Sequence, residues 1–505
     1  MNRSQKFLKN SAVTAMYQIV VMITGFILPK VMLSIYGSRI NGVISSITQF
    51  ISYITLVEAG LSSATVYSLY RPLAERDYHQ TNRVLVAAKN FYYKTGVLFV
   101  ILITIGAFVY PYILKDNILS YTETFVLVFI LGFSGALDFF TLAKYSALLT
   151  ADQKTYVISL CNIVQVILNC LIVIGLSFCG TSIILVRLVA LIAILVRSIV
   201  LWIYCRNHYR YLDFSVEPDN SSMDKRWDAM YQQLLKVVHN GSVVMIASAL
   251  LSLVDVSIYA IYNTVIHGIN SVLSIFTSGL AAGFGELIAK KEQKKLQNAF
   301  EDFEYLYLAV ITIVYSVMMV CYLPFIKVYT KGADTNYVIP ILAVVLTLNG
   351  YFYNLKTPQG MIVISAGLYK ETRWRSTIQC ALEVGCGILF GFIGGLPGIV
   401  FGAIIANVYR CIDLLLFVPK YITGLPVWST LKKWLISMSS FAAVVLISNL
   451  LLKDDFVESY LTWVMWACIN GILAVLVVLI IFSIFDKKVV RNIINRMKIL
   501  VVKKR

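Results

Sequence analysis

The chain has 505 residues, of which 59% are hydrophobic and only 14% charged, and it carries a formal net charge of +17. Globular chains keep about a quarter of their residues charged, so a mean hydropathy of +0.78 excludes a water-soluble domain and points to a polytopic membrane protein. Nine cysteines without a CxxC pair, and four histidines without an HExxH array, give no support to a metal centre; the cysteines read as small buried apolar residues.

Arg3, Lys6 and Lys9 precede a first apolar stretch, 11–36, which is too long for a signal-peptide core and is followed by no small-residue cleavage site. It reads as a membrane helix interrupted near Pro29. Further stretches of about 20 apolar residues, the length that crosses a bilayer, follow at 40–68, 93–114, 121–148, 155–178, 181–204, 237–260, 263–289, 303–326, 336–365, 375–394, 398–419, 433–452 and 460–485. The expected fold is therefore all-α and polytopic, with about fourteen transmembrane helices. A polar interruption, 206–235, leaves six spans before it and eight after. The expected division is a six-helix lobe at 1–205, a cytoplasmic linker at 206–235, a second six-helix lobe at 236–420, two further helices at 421–485 and a tail at 486–505. In that tail Val489, Val490, Ile493, Ile494, Met497, Leu500 and Val501 share one helical face. This is the pattern of a basic amphipathic helix lying on an anionic inner leaflet.

If the N-terminus is cytoplasmic, 32 of the 43 Lys and Arg residues fall in inside segments and five in outside connections, which places both ends inside with an even number of spans. The same asymmetry accounts for the net charge without a nucleic-acid partner.

The second span poses a problem, because a carboxylate near mid-membrane costs about 2.5–3.5 kcal/mol and this one holds Gln49 and Glu58. Asn41, Ser45, Thr48, Ser52, Thr55, Ala59 and Ser62 recur at spacings of four and three, which puts them on one helix face. Val43, Ile47, Ile54 and Leu61 form the opposite face, expected to meet lipid. The eighth span repeats the stripe with Asn263, His267, Asn270, Ser274, Thr277 and Ala281. Spans two and eight stand in equivalent places if the first twelve helices are two parallel copies of six. Small hydroxyl stripes also serve close helix packing; the bulkier Asn, Gln, His and Glu favour a water-accessible cavity. Asp255 in span seven and Gln18 in span one extend the polar set. Other embedded charges are Asp138, Arg187, Lys356, Glu383, and Arg410 with Asp413, which at i,i+3 can pair on one face.

Three stretches, "YGSRINGVISSITQFISYITLVEAGLSSATVYSLYRPLAERD", "YNTVIHGINSVLSIFTSGLAAGFGELIAKKE" and "LKTPQGMIVISAGLYKETRWRSTIQ", together with the rhythm of the spans, resemble the polysaccharide repeat-unit flippases. These are the O-antigen, capsule and exopolysaccharide exporters of the multidrug/oligosaccharidyl-lipid/polysaccharide superfamily. One departure is "ALEVGCG" in span eleven, with Glu383 where relatives tend to have an asparagine. The resemblance implies transport of an undecaprenyl-diphosphate-linked oligosaccharide from the inner to the outer leaflet of a bacterial cytoplasmic membrane, with two lobes rocking about a cavity lined by helices 1, 2, 7 and 8. It implies a substrate-binding set of Lys356, Arg187, Lys30, Gln18, Asn41, Gln49, Ser52, Glu58, Asp255, Asn263, His267, Asn270 and Ser274. Lys356 is the first choice for the cation that meets the diphosphate. Glu58 and Asp138 are candidates for coupling to a proton or sodium gradient, no cofactor is implied, and a polysaccharide polymerase or export machinery is an implied partner. Alternatives are a peptidoglycan-precursor flippase and an ion-coupled multidrug exporter. An integral-membrane polymerase or acyltransferase is more distant, since the outside loops are short and hold no acid/base pair.

Overall fold

The computed structural model describes residues 3–58, 61–113, 118–219, 226–278, 280–452, 454 and 456–485, and every regular element among them is a helix. The expected amphipathic tail, and its contact with an anionic leaflet, lie outside the described residues.

Helix α1 (Arg3–Ile54) holds the first expected span and the part 40–54 of the second. The break between them is at Gly37, with φ 79° and ψ 173°, inside the expected 37–39 connection, whereas the interruption expected within the first span near Pro29 is absent and the helix continues through it. A proline removes one helix hydrogen bond, a loss that bundled membrane helices absorb. A positive φ takes the backbone out of the helix altogether and suits glycine, which has no Cβ to clash. A 3₁₀ turn, Thr55–Glu58, precedes α2 (Leu61–Glu75) and α3 (Tyr78–Ile113). Then come α4 (Tyr121–Thr141), opened by a capping box of Ser120 and Glu123, α5 (Ala143–Ala151), α6 (Thr155–Phe178) and α7 (Ile183–His208). They are followed by α8 (Arg226–Leu250), α9 (Leu253–Ser278), α10 (Leu280–Ala289) and α11 (Gln293–Tyr329). Next are α12 (Pro340–Leu355), α13 (Thr357–Ser365) and α14 (Tyr369–Val418), the last broken at Gly395 with φ 59°. A π-turn at Pro419–Thr423 leads into α15 (Val427–Leu451) and α16 (Tyr460–Phe485).

Among the described residues ten helices are long and apolar enough to cross a membrane. Two of these contain a glycine break: α14 carries two expected spans, and α1 carries one and the start of the next, which runs on into α2. The expected span 237–260 crosses from α8 into α9, and 263–289 and 336–365 fall on α9–α10 and α12–α13. The chain is an all-α, multi-pass membrane protein.

It divides into two compact units, residues 1–264 and 265–505, with the boundary inside α9. In the first unit, Val43 and Ile47 are fully buried and Leu61 nearly so. These residues, expected to meet lipid, belong instead to the core. The reason is that lipid tails are as apolar as a neighbouring helix, so hydropathy alone cannot tell a lipid face from a packed one. Close packing is enforced on the same helix by Gly42, where an added Cβ would lie 1.8 Å from the Leu253 carbonyl oxygen. Segment 209–219 returns along α3: Asn82 Nδ2 donates to the Tyr211 carbonyl at 2.9 Å, and the Asp219 amide to the Arg83 carbonyl at 3.2 Å.

In the second unit α15 and α16 pack on α11 through Tyr305, Ile436, Val444, Ala474, Val478 and Phe482. Tyr305 Oη donates to the Phe482 carbonyl at 2.8 Å and Trp463 Nε1 to the Cys321 carbonyl at 2.9 Å.

The units share a local succession. In the first, α4 ends at Leu142, then comes the nine-residue α5, the connection 152–154 and α6. In the second, α12 ends at Lys356, followed by the nine-residue α13, the connection 366–368 and α14. The position held by an apolar leucine in one unit is held by an ammonium in the other.

Candidate functional site

The first unit has a partly open cavity of about 240 Å³ beside the α4–α5 junction, and both coupling candidates, Glu58 and Asp138, line it. Glu58 ends the 3₁₀ turn after α1, and Asp138 lies one turn before Leu142 on α4. Arg197, from α7, completes the wall and forms an ion pair with Asp138 through Nη2. Its Nη1 donates to Asn162 Oδ1 on α6 at 3.2 Å, while its Nε is buried without a hydrogen-bond partner. The Asp138 side chain remains 46% exposed, so the ion pair faces space rather than packed protein. Tyr92, Ser62 and Ser146 add hydroxyls to the wall. Two carboxylates and one guanidinium around a small cavity leave one negative charge over, an arrangement suited to taking up and releasing a cation or proton.

The second unit uses its embedded charges differently. Lys356 Nζ donates to Asn407 Oδ1 at 2.7 Å; Gln379 Nε2 reaches the same oxygen at 3.3 Å, and Asn407 Nδ2 donates to Asn349 Oδ1 at 2.9 Å. All of these lie on α12, its C-terminal cap or α14, so the lysine ties the junction to α14. Asp413 pairs with Arg410, as the i,i+3 spacing predicts, at 2.6 Å, and also with Arg375. Glu304 on α11 is fully buried and is held by Lys433 Nζ of α15 at 2.8 Å and by Gln359 Nε2. Glu383 is also buried.

The remaining expected site residues are distributed as follows. Asn41 is buried and its Nδ2 donates to Ser257 Oγ at 2.8 Å. Gln49 Nε2 donates to Ser52 Oγ at 2.6 Å, and its amide fills the notch at Gly241 of α8. Asp255 takes part in a reciprocal cap at the start of α9: its Oδ2 accepts from Ser252 Oγ at 2.7 Å, and its amide donates back at 3.2 Å. Asn270 Oδ1 accepts from Asn354 Nδ2 at 2.9 Å and from Tyr315 Oη at 3.2 Å. His267 and Ser274 are exposed; Gln18, Lys30, Arg187 and Asn263 are half-buried. Arg187 lies ten residues before Arg197 on α7, about 15 Å along the helix, and its Nε is buried without a hydrogen-bond partner. The stripe of the second span is therefore partly an internal seam, with Asn41 committed to protein partners and Glu58 committed to the cavity.

Sequence reasoning missed Arg197, Asn162, Asn407 and the Glu304–Lys433 pair. For Arg197 a signal was present: an embedded Asp138 needs a partner, and an arginine lay in another span of the same lobe. For Asn162 and Asn407 there was none, since single amides in apolar helices carry no periodic mark.

No protein-family model and no curated protein matches the sequence. Solved structures do. An inward-facing multidrug resistance MATE family transporter of the MOP superfamily superposes with a TM-score of 0.68 at 14% identity, over 86% of this chain and 99% of that one. The lipid II flippase MurJ, in an inward closed conformation, gives 0.68 at 15% identity over 95% of this chain and 100% of that one. A MOP superfamily transporter from Pyrococcus furiosus, described as having a binding pocket of reversed polarity, gives 0.56 at 13% identity over 88% and 97%. The chain is a multi-pass membrane protein with the fold of the MOP-superfamily transporters.

Proposed function

We propose that the protein is a flippase that moves an undecaprenyl-diphosphate-linked oligosaccharide repeat unit from the inner to the outer leaflet of a bacterial cytoplasmic membrane, for assembly of a surface polysaccharide. The observation that carries this reading is the extent of the fold match with a lipid II flippase. Its unmatched 5% of this chain, about 25 residues, is shorter than α15 and α16 together. The match therefore extends into the two helices beyond the first twelve spans, whereas the 86% match to a MATE transporter leaves room for both to be omitted. A lipid-linked substrate is thus favoured over a soluble one, and the sequence resemblance favours an oligosaccharide repeat unit. The distribution of Lys and Arg supports an orientation with both termini on the cytoplasmic side. The cavity of Glu58, Asp138 and Arg197 is assigned to coupling with a proton or sodium gradient, and no chemical step is assigned to the protein. A polysaccharide polymerase is the partner that would receive the product.

Reconstitution tests this directly. Proteoliposomes carrying a lipid-linked oligosaccharide should expose more of it to a membrane-impermeant glycosidase than protein-free vesicles do. A second reading, multidrug export, is supported by the equal TM-score of the MATE neighbour. Glycosidase exposure at the protein-free level, together with gradient-driven movement of a small cationic drug, would replace the first reading with the second.

A further inference from the structure

A separate cluster of charge lies in the first unit where segment 209–219 returns over α3. The hydrogen bonds of Asn82 to the Tyr211 carbonyl and of the Asp219 amide to the Arg83 carbonyl, with Gln80 Nε2 donating to Asp219 Oδ2 at 2.7 Å, tie that segment to α3 and seat Phe214 against α3 and α5. Lys89 Nζ from α3 and Lys144 Nζ from α5 lie 5.6 and 4.9 Å from the centroid of that one ring. Lys89 also lines a cavity of about 480 Å³ together with Tyr93, Lys94 and Pro218, while Lys144 meets Lys89 at the shared Phe214 ring and is not part of that lining. Among the described residues no carboxylate lies within 4.0 Å of Lys89, Lys94 or Lys144. Ammonium groups gathered without a counter-charge repel one another, and an anion among them relieves that repulsion. The aromatic face holds two of them by cation–π attraction but neutralises neither.

The depth of the cluster identifies the kind of anion. Helix α3 has 36 residues, about 54 Å at 1.5 Å per residue, and so overruns a hydrocarbon core of about 30 Å. Its uninterrupted apolar run begins beyond Lys94, which places Lys89 and Lys94 level with the lipid headgroups. Tyr93, 61% exposed, is the kind of aromatic residue that marks that boundary. At this depth the abundant anion is a phosphate carried by a lipid.

We infer that this cavity binds the phosphate of a membrane lipid, with Lys89, Lys94 and Lys144 as its charge partners and Phe214 holding Lys89 and Lys144 in place. The site is distinct from the Glu58 cavity, and the inference does not rest on the transport reading. Two sources share the chemistry: an anionic phospholipid headgroup and the diphosphate of a polyprenyl carrier.

Native mass spectrometry of the full-length protein, released from detergent in the presence of phosphatidylglycerol, undecaprenyl diphosphate or phosphatidylcholine, tests it. Retained adducts are expected with at least one of the two anionic lipids and not with phosphatidylcholine. Each single Lys→Gln change should weaken retention about fivefold, as expected for roughly 1 kcal/mol per basic residue near a membrane surface. The triple variant Lys89→Gln, Lys94→Gln, Lys144→Gln should abolish it, and the triple Lys→Arg variant should keep it. Retention of phosphatidylglycerol alone identifies a headgroup site, and retention of undecaprenyl diphosphate alone a carrier site; either supports the proposal. Undiminished adducts in the triple Gln variant, or equal retention of phosphatidylcholine, overturn it. Because the Arg variant makes the same number of changes while preserving charge, loss of binding in both triple variants also counts against a charge-held phosphate.

Discussion

The same stretch of architecture, a long helix, a junction residue, a nine-residue helix and a three-residue connection, is used in opposite ways in the two units. In the first unit the junction residue is Leu142, and the charges lie around a cavity, with Asp138 46% exposed. In the second it is Lys356, and the charges are packed: Glu304 is 0% exposed and the Asp413 side chain 5%. A charge that faces space can change its partner as a transporter cycles. A charge locked between helices mainly fixes their arrangement, because breaking it leaves its partner buried and alone. The likeness of these two stretches therefore lies in the backbone, while the charges embedded around them differ.

The largest effect expected from this contrast is at Lys433. Lys433→Ala strands the Glu304 carboxylate and should destabilise the protein by about 3–5 kcal/mol, read as a fall in the thermal unfolding midpoint of purified protein in detergent. The double variant Glu304→Gln, Lys433→Met should recover most of that loss. Next comes a matched pair of changes. Asp413→Asn leaves Arg375 and Arg410 facing each other without a carboxylate and should cost about 2–3 kcal/mol, toward the lower end for a broken buried ion pair because Arg375 is partly exposed. Asp138→Asn, at a wall that water can reach, should cost no more than about 1 kcal/mol. Equal shifts for the two would erase the distinction between the units. Lys356→Met removes one hydrogen bond to Asn407 and should cost about 1–2 kcal/mol while leaving flipping measurable in proteoliposomes. Abolished flipping with an unchanged unfolding midpoint would instead make Lys356 the diphosphate ligand. The mildest test leaves stability almost untouched. In a background without native cysteines, cysteine at Ser274 should react with a hydrophilic maleimide, and cysteine at Ser257, on the buried part of α9, should not.

Much of the fold was legible because bilayer thickness sets a length and apolar composition sets a class. Most of the expected segments fall on helices for that reason, although 40–68 and 237–260 each run across a break between two of them. The connection at Gly37 was legible as the gap between the first two apolar stretches, whereas the interruption expected near Pro29 is absent, because a membrane bundle absorbs the hydrogen bond that a proline removes. The site was legible only in part. Glu58 and Asp138 were conspicuous as carboxylates in apolar surroundings, but their meeting at one cavity depends on the turn after α1, which no periodicity reveals. Val43 and Ile47 were read as a lipid face because the sequence carries hydrophobicity and not the identity of the neighbour. Asp255 resembled a cavity carboxylate, and its capping role was readable from the Ser-x-x-Asp spacing beginning at Ser252.

The central claim, that the first unit carries the exchangeable carboxylates and the second unit the structural ones, is open to a chemical test on the purified protein that needs no substrate. Protein in detergent would be treated with an apolar carbodiimide, and modified carboxyl groups located by peptide mass spectrometry. The account predicts modification of Glu58, with Glu304 and Asp413 modified only after denaturation. Modification of Glu304 and Asp413 in the folded protein to the same extent as Glu58, or protection of Glu58 alongside them, would contradict it.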